Sequence, residues 1–347
     1  MRYVPMKRLS SGMVVKQDIY SGEGNLILEK EVVLDDEHIN TLIELGLPGI
    51  YVNDGFAEDI PIEQIIRPEI RAEALKLVHE IFAADIENPP YQEDIEKVVL
   101  DIVREVTENK NVMCNLLDMK TYDDYTYFHC VNVAVLSAVI GISSNLSEKD
   151  VISLTTAAIL HDVGKRFVER EVLNARRRLT EEERRLIIQH PKLGYEFLRD
   201  HYEFSSYIYT SVLQHHEWYN GEGYPLRRSG SEIPLYARII KIADVYDAFT
   251  SKLPYREPKS PSEAAEYLMN SSGGEFDPEL LETFMKKISV YPVGCEVTLS
   301  DGRRAIVVEN FEDAILRPKV KLTPTGEVMN LKEDAIAKDI SIIELLV

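Results

Sequence analysis

Cysteine is scarce in this chain: three in 347 residues, Cys114, Cys130 and Cys295. They are widely spaced and odd in number, with no C-x-x-C pair, which argues against a disulfide framework and fits reduced thiols in a cytosol. Positive charge is also short. The 39 Lys and Arg face 59 Asp and Glu, a formal net charge of −20. Such a chain is a poor partner for DNA, RNA or an anionic membrane surface, although a bound metal reverses the sign of a local site. Long apolar runs are missing too. The longest, VNVAVLSAVIGI at 131–142, is too short to cross a bilayer and reads as a buried helix. The opening MRYVPMKRLSSGMVV lacks the apolar stretch of a secretion signal. The expectation is a soluble, cytoplasmic protein, and 45% hydrophobic residues are enough for a proper core.

What is present falls into zones. Residues 1–60 read as a small α+β unit. GMVVKQDIY and NLILEKEVVL flank SGEGN, a hairpin signal, and DDEHINTLIELGL reads as a short helix stopped at Gly46 before a strand, GIYV. Residues 61–92 read as a connector with some helix, broken by ENPPYQ. From 93 to 290 apolar residues recur at helical spacing, as in DIEKVVLDIVREV and YARIIKIADVYDAF. Thr180 with Glu183 fits a capping box, and Ser262 is a weaker cap before EAAEYL. Residues 291–347 return to alternation, with an Asp301-Gly302 turn and five to six strands expected. The fold class is therefore mainly α: a helical bundle flanked by small β-rich regions.

The chemistry sits in the helical zone. Of only eight histidines, His38, His79 and His201 lie among charged residues and read as surface. The other five, His129, His161, His190, His215 and His216, fall on or beside apolar helices, as do Asp162 and Asp244. One such histidine is ordinarily a hydrogen-bonded core residue. Five, with two half-buried aspartates, outnumber the basic partners available to them. Divalent metal is the common solution for imidazole with carboxylate, and seven candidate ligands suit two ions better than one. Two ions about 3.5–4 Å apart would also give the adjacent His215 and His216 one ion each.

At this point the sequence resembles a family. HDVGK (161–165), HP with Gly194, HHEWYNGEGYP (215–225, read from His215) and IADVYDAFTS (242–251) match the HD-GYP group of bacterial phosphodiesterases in order and spacing, over roughly 120–288. The resemblance implies an HD-type metal-phosphohydrolase bundle that hydrolyses cyclic di-GMP to pGpG or on to GMP. It implies His129, His161, Asp162, His190, His215, His216 and Asp244 as ligands to two divalent ions, iron or manganese, with Asp162 the bridge. Lys165 would reach a phosphate oxygen, or merely charge a helix end. Gly221, Gly223, Tyr224 and Pro225 would form a substrate loop, or a tight turn with Tyr224 in the core. Asp247 and Glu217 would orient imidazoles, Glu217 alternatively capping its helix. Lys252 and Arg256 would grip substrate, although Leu253 stands where arginine is common and Asn220 where aspartate is usual. A carboxylate one turn before the first histidine accompanies a third metal in some members. Here that position is Tyr125, with Asp123 and Asp124 rotated off its face, so two ions are expected. Candidate partners are cyclic di-GMP, diguanylate cyclase (GGDEF) proteins and a second copy of the chain. The alternatives are a cyclic di-GMP receptor with little turnover and a phosphohydrolase of another cyclic nucleotide.

Overall fold

A computed structural model of the chain describes every residue except 22–23, 54, 56–59, 62–63, 86–87, 111–112, 115–124, 176, 252–255, 257 and 347. The expectations placed on Lys252, Leu253, Asp123 and Asp124 fall outside the described residues, as does the side chain of Tyr125.

The N-terminal region contains β1 (Arg2–Pro5), β2 (Val14–Val15), β3 (Ile19–Tyr20), β4 (Leu26–Leu28), α1 (Asp36–Glu44) and β5 (Gly49–Asn53). β5 is central in an antiparallel sheet of order β1-β5-β2, and β3 pairs with β4 as the expected hairpin. Asp35 caps α1 by accepting from the His38 N–H at 2.8 Å, and His38 returns the bond through its ring. Gly46, at φ 71°, follows the helix as expected.

The helical body comprises α2 (Pro68–Ala83), α3 (Gln92–Glu108), α4 (Tyr125–Ser143), α5 (Glu148–Ile159), α6 (Arg170–Leu173), α7 (Glu181–Ile188), α8 (His190–His201), α9 (Ser206–Gln214), α10 (Leu235–Thr250), α11 (Pro261–Asn270) and α12 (Pro278–Met285). α4 is its axis, packed by α2, α3, α5, α10 and α12. It is apolar over Thr126–Ser143, and 83% of that stretch is buried inside the protein. An apolar helix with neighbours on all sides is a core helix. α2, read from sequence as part of a connector, belongs to this body: Leu75, Val78 and Ile81 are buried, and Arg166 donates to the carbonyls of Ile81 and Ala84 at its end. The Thr180–Glu183 capping box is present on α7. On α11 the cap is Ser260, paired with Glu263, and not Ser262. The Pro261 that follows Ser260 occupies the first helical position, where a proline costs no hydrogen bond, and this sets the start two residues earlier than expected.

The C-terminal region forms an antiparallel sheet, β6 (Glu296–Leu299), β7 (Arg304–Glu309), β8 (Lys319–Thr323), β9 (Val328–Asn330) and β10 (Ile342–Leu346), in the order β10-β6-β7-β8-β9. The expected turn joins β6 to β7, with Gly302 at φ 84°. The two β-rich regions meet. Tyr3 N–H donates to the Gly294 carbonyl at 2.9 Å, Arg8 reaches Glu296 at 2.8 Å, and Tyr3, Tyr51 and Cys295 share a small apolar core.

Candidate metal centre

Three of the histidines arrive by one local device. His161, His190 and His215 each fall one or two residues past the end of a helix: α5, α7 and α9. The last carbonyls of a helix have no intrahelical partner. Each ring donates from Nδ1 to a carbonyl of this last turn, three residues earlier: Ala158 at 2.7 Å, Ile187 at 2.6 Å and Val212 at 2.6 Å. A carbonyl only accepts, so Nδ1 carries the proton and each Nε2 lone pair faces inward. His129 is set differently. It lies one turn into α4, and its Nδ1 donates to Asp247 Oδ2 at 2.8 Å on α10. Asp244, three residues before Asp247 and so on the same helix face, places Oδ1 3.1 Å from His129 Nε2.

Asp162 occupies the centre. Its Oδ1 lies 3.1 Å from His190 Nε2, and its Oδ2 lies 3.5 Å from His161 Nε2, 3.7 Å from His129 Nε2 and 2.5 Å from Lys165 Nζ. The ligand atoms form two groups, His190 with His215 and His216, and His129 with His161 and Asp162, each within 4.8 Å. The adjacent histidines of the sequence thus face one group together, where one ion each was expected. The helix has ended at Gln214, so the 100° separation of neighbours on a helix no longer applies.

The electrostatics are those of a site built for positive charge. Burial opposes ionisation of Asp162, yet the Lys165 ammonium beside it holds its carboxyl well below the usual carboxylate range. Asp244 is likewise held down against its burial, by His129. Burial and the neighbouring imidazoles keep His215 and His216 neutral, and burial does the same for His161. His129 goes the other way: burial disfavours its charge, but Asp244 and Asp247 outweigh it and push it up to about 9. Two features fit a cation among these residues. His161 Nε2 and Asp162 Oδ1 are buried with no hydrogen-bond partner. His190 Nε2 and His215 Nε2 lie 3.2 Å apart, lone pair against lone pair when both rings are neutral. Buried acceptors left facing one another are costly, and a divalent ion satisfies them together.

The loop after His216 is pinned by main chain. Tyr224 N–H donates to the His216 carbonyl at 3.2 Å, the Tyr224–Pro225 bond is cis, and the Tyr224 ring stacks on His216 at 4.8 Å. Burial and the nearby Asp244 and Asp162 raise the Tyr224 phenol, which therefore stays protonated. Asn220 makes the expected turn, accepting from the Glu222 N–H at 3.0 Å. Glu217, expected to orient an imidazole or cap its helix, does neither. Its buried carboxylate accepts from the Leu226 N–H at 2.5 Å and the Arg228 N–H at 3.1 Å, closing the loop onto itself. A β-carbon on Gly223 would lie 2.2 Å from Trp218 N and 2.5 Å from Glu217 Cα, so the chain's own backbone requires this glycine. Gly164 lies in a 3-10 turn, where a β-carbon would sit 1.9 Å from the His190 carbonyl. Its partner in this contact is Gly194, which explains both glycines of the motif. Arg256 donates to the Ala248 carbonyl and lies 4.9 Å over the Phe249 ring, closing the end of α10. The sequence reading missed Asn132. It stands three residues after His129, hence on the same helix face, and its amide donates to Asp247 Oδ1 at 2.9 Å.

Residues 105–280, about half of the chain, match the model of the HD domain. The chain belongs to the HD domain family. Among relatives, a cyclic di-GMP phosphodiesterase of Pseudomonas aeruginosa is 36% identical over 225 residues, 65% of this chain and 54% of that protein. A cyclic di-GMP phosphodiesterase of Thermotoga maritima is 34% identical over 187 residues, 54% of this chain and 50% of that protein. The chain spans about half the length of these curated relatives. In fold it is similar to a solved HDG"Y"P protein from Bdellovibrio bacteriovorus, with a TM-score of 0.54 at 18% identity, covering 81% of this chain and 97% of that one. The resemblance to HD-GYP proteins and the mainly helical HD fold with flanking sheets are borne out.

Proposed function

We propose that this HD domain protein is a metal-dependent phosphodiesterase that hydrolyses cyclic di-GMP to the linear dinucleotide pGpG, or further to GMP. The observation that carries the reading is the Asp162 carboxylate, whose two oxygens face two different groups of imidazoles. In this reading His190, His215 and His216 would hold one divalent ion, and His129, His161 and Asp244 the other, with Asp162 available to both. Imidazole with carboxylate suits iron or manganese. Bound ions of this kind supply Lewis acidity toward a phosphoryl oxygen and an activated water.

The chain's own residues supply the rest. Nδ1 bonds to helix-end carbonyls and to Asp247 hold four rings in place before any ligand arrives. Lys165, drawn to Asp162 Oδ2, is a cation within reach of a phosphate oxygen bound at that centre. Tyr224, protonated and stacked on His216, offers a ring face to a guanine and a hydroxyl to a phosphate. Gly221, Gly223 and Pro225 act through the loop that presents Tyr224. The relatives' names support the substrate, and the buried free thiols of Cys114, Cys130 and Cys295 support a cytoplasmic setting.

The test is incubation of metal-loaded protein with cyclic di-GMP, a second cyclic dinucleotide and a cyclic mononucleotide, with products separated by chromatography. Linear product from cyclic di-GMP is expected. Tight binding without cleavage would make the protein a receptor, and cleavage of another nucleotide alone would reassign the substrate.

A further inference from the structure

A chain of buried hydrogen bonds leads away from the metal centre to a helix outside the matched HD region. Asp247 Oδ2 accepts from His129 Nδ1 at 2.8 Å, and Asp247 Oδ1 accepts from Asn132 Nδ2 at 2.9 Å. Asn132 Oδ1 then accepts from Arg71 Nη1 on α2 at 2.6 Å. All four side chains are buried, at 7% exposure or less. The chemistry gives this chain one direction. A guanidinium only donates and a carboxylate only accepts, so the amide between them has a single orientation, oxygen to Arg71 and nitrogen to Asp247. That orientation fixes the Asp247 carboxylate, and the carboxylate fixes the rotation of the His129 ring. Without Arg71 the amide oxygen loses the buried donor that anchors it, and the Asn132 side chain is held from the Asp247 side alone.

We infer that Arg71 is a positioning residue for the His129 side of the centre, acting through Asn132 and Asp247, so that α2 is a working part of the site. This inference rests on the metal-centre reading above. Arg71 is 58 residues before His129, in a segment that precedes the region matched to the HD domain, residues 105–280. Outer partners of ligating histidines, as Asp247 is here, typically change metal affinity by about 10–100-fold when removed, and Asn132 and Arg71, one and two steps further out, belong at the low end. A purely structural role predicts something else: loss of a buried cation that anchors α2, seen in melting temperature alone.

The experiment titrates metal-free protein with Mn²⁺, following loss of the free-ion electron paramagnetic resonance signal, with thermal melts of the same samples. Arg71→Met and Asn132→Ala are each expected to weaken Mn²⁺ binding by about tenfold, and the double variant no further, since they cut one chain. Leu75→Ala, a cavity in the same face of α2, is expected to lower melting temperature at wild-type Mn²⁺ affinity. Arg71→Lys keeps a cationic donor and is expected to fall between wild type and Arg71→Met. It carries the test if Arg71→Met does not fold, and wild-type affinity in it then overturns the inference. Wild-type affinity in folded Arg71→Met, or an equal loss in Leu75→Ala, also overturns it. Wild-type protein that takes up no Mn²⁺ overturns instead the metal-centre reading on which it stands.

Discussion

Replacing Gly223 by alanine separates two accounts of the loop at 221–228. If the glycine makes room for a ligand, the added methyl impairs binding and leaves the fold alone. The structure gives the opposite expectation. The new β-carbon would meet Trp218 N at 2.2 Å, Glu217 Cα at 2.5 Å and Glu217 C at 2.6 Å, all main-chain atoms with no rotamer to yield. Overpacking typically costs about 1–3 kcal/mol, and contacts made only with backbone belong at the upper end, about 3 kcal/mol. For a body of this size that corresponds to a fall in melting temperature of roughly 6–12 °C. Gly230→Ala is the control from the neighbouring turn. Its φ of 52° makes alanine mildly unfavourable, but a β-carbon there meets nothing within 4 Å, so a loss of only about 1 kcal/mol is expected. Thermal melts of the two variants beside wild type decide it. Gly223→Ala melting with wild type, with turnover lost, would refute the packing argument and restore the ligand account.

Three further outcomes are expected. Asp162→Ala removes the carboxylate shared by both imidazole groups, and metal content by elemental analysis should fall together with turnover; retention of both is incompatible with the proposed site. Glu217→Gln keeps the shape of the side chain but turns an amide nitrogen toward a backbone N–H, so denaturant titration should show a loss of about 2 kcal/mol, with faster hydrogen exchange at Leu226 and Arg228. Glu183 is held down to about 2 by Arg177 and the Thr180 N–H, below its ordinary 4.5, so its contribution is present above about 4.5 and lost as pH falls toward 2; the stability gap between wild type and Glu183→Gln should narrow over that window, and a gap independent of pH would count against the clasp.

Much of the fold was legible because it is written locally. Helical periodicity in DIEKVVLDIVREV and alternation around Asp301-Gly302 each need only a few neighbouring residues to read. The candidate site was legible for a related reason: its histidines recur at helix ends, where apolar periodicity stops and a polar residue stands out. What the sequence could not give is what lies across the fold. The bonds from Glu217 to Leu226 and Arg228 depend on the path of the loop between them. The Gly164–Gly194 contact depends on α8 crossing the turn after α5. Arg71 looks like one more charged residue in an amphipathic helix, and only the packing of α2 on α4 sets it against Asn132. His215 and His216 were assigned to different ions from helix geometry that the chain had already left by Gln214.

The number of bound ions tests the proposed centre most directly. Anomalous scattering from crystals of fully loaded protein is expected to show two ions per chain, one among His190, His215 and His216 and one among His129, His161 and Asp162, with Asp162 between them. A single ion, or a third held from the segment just before α4, would contradict it.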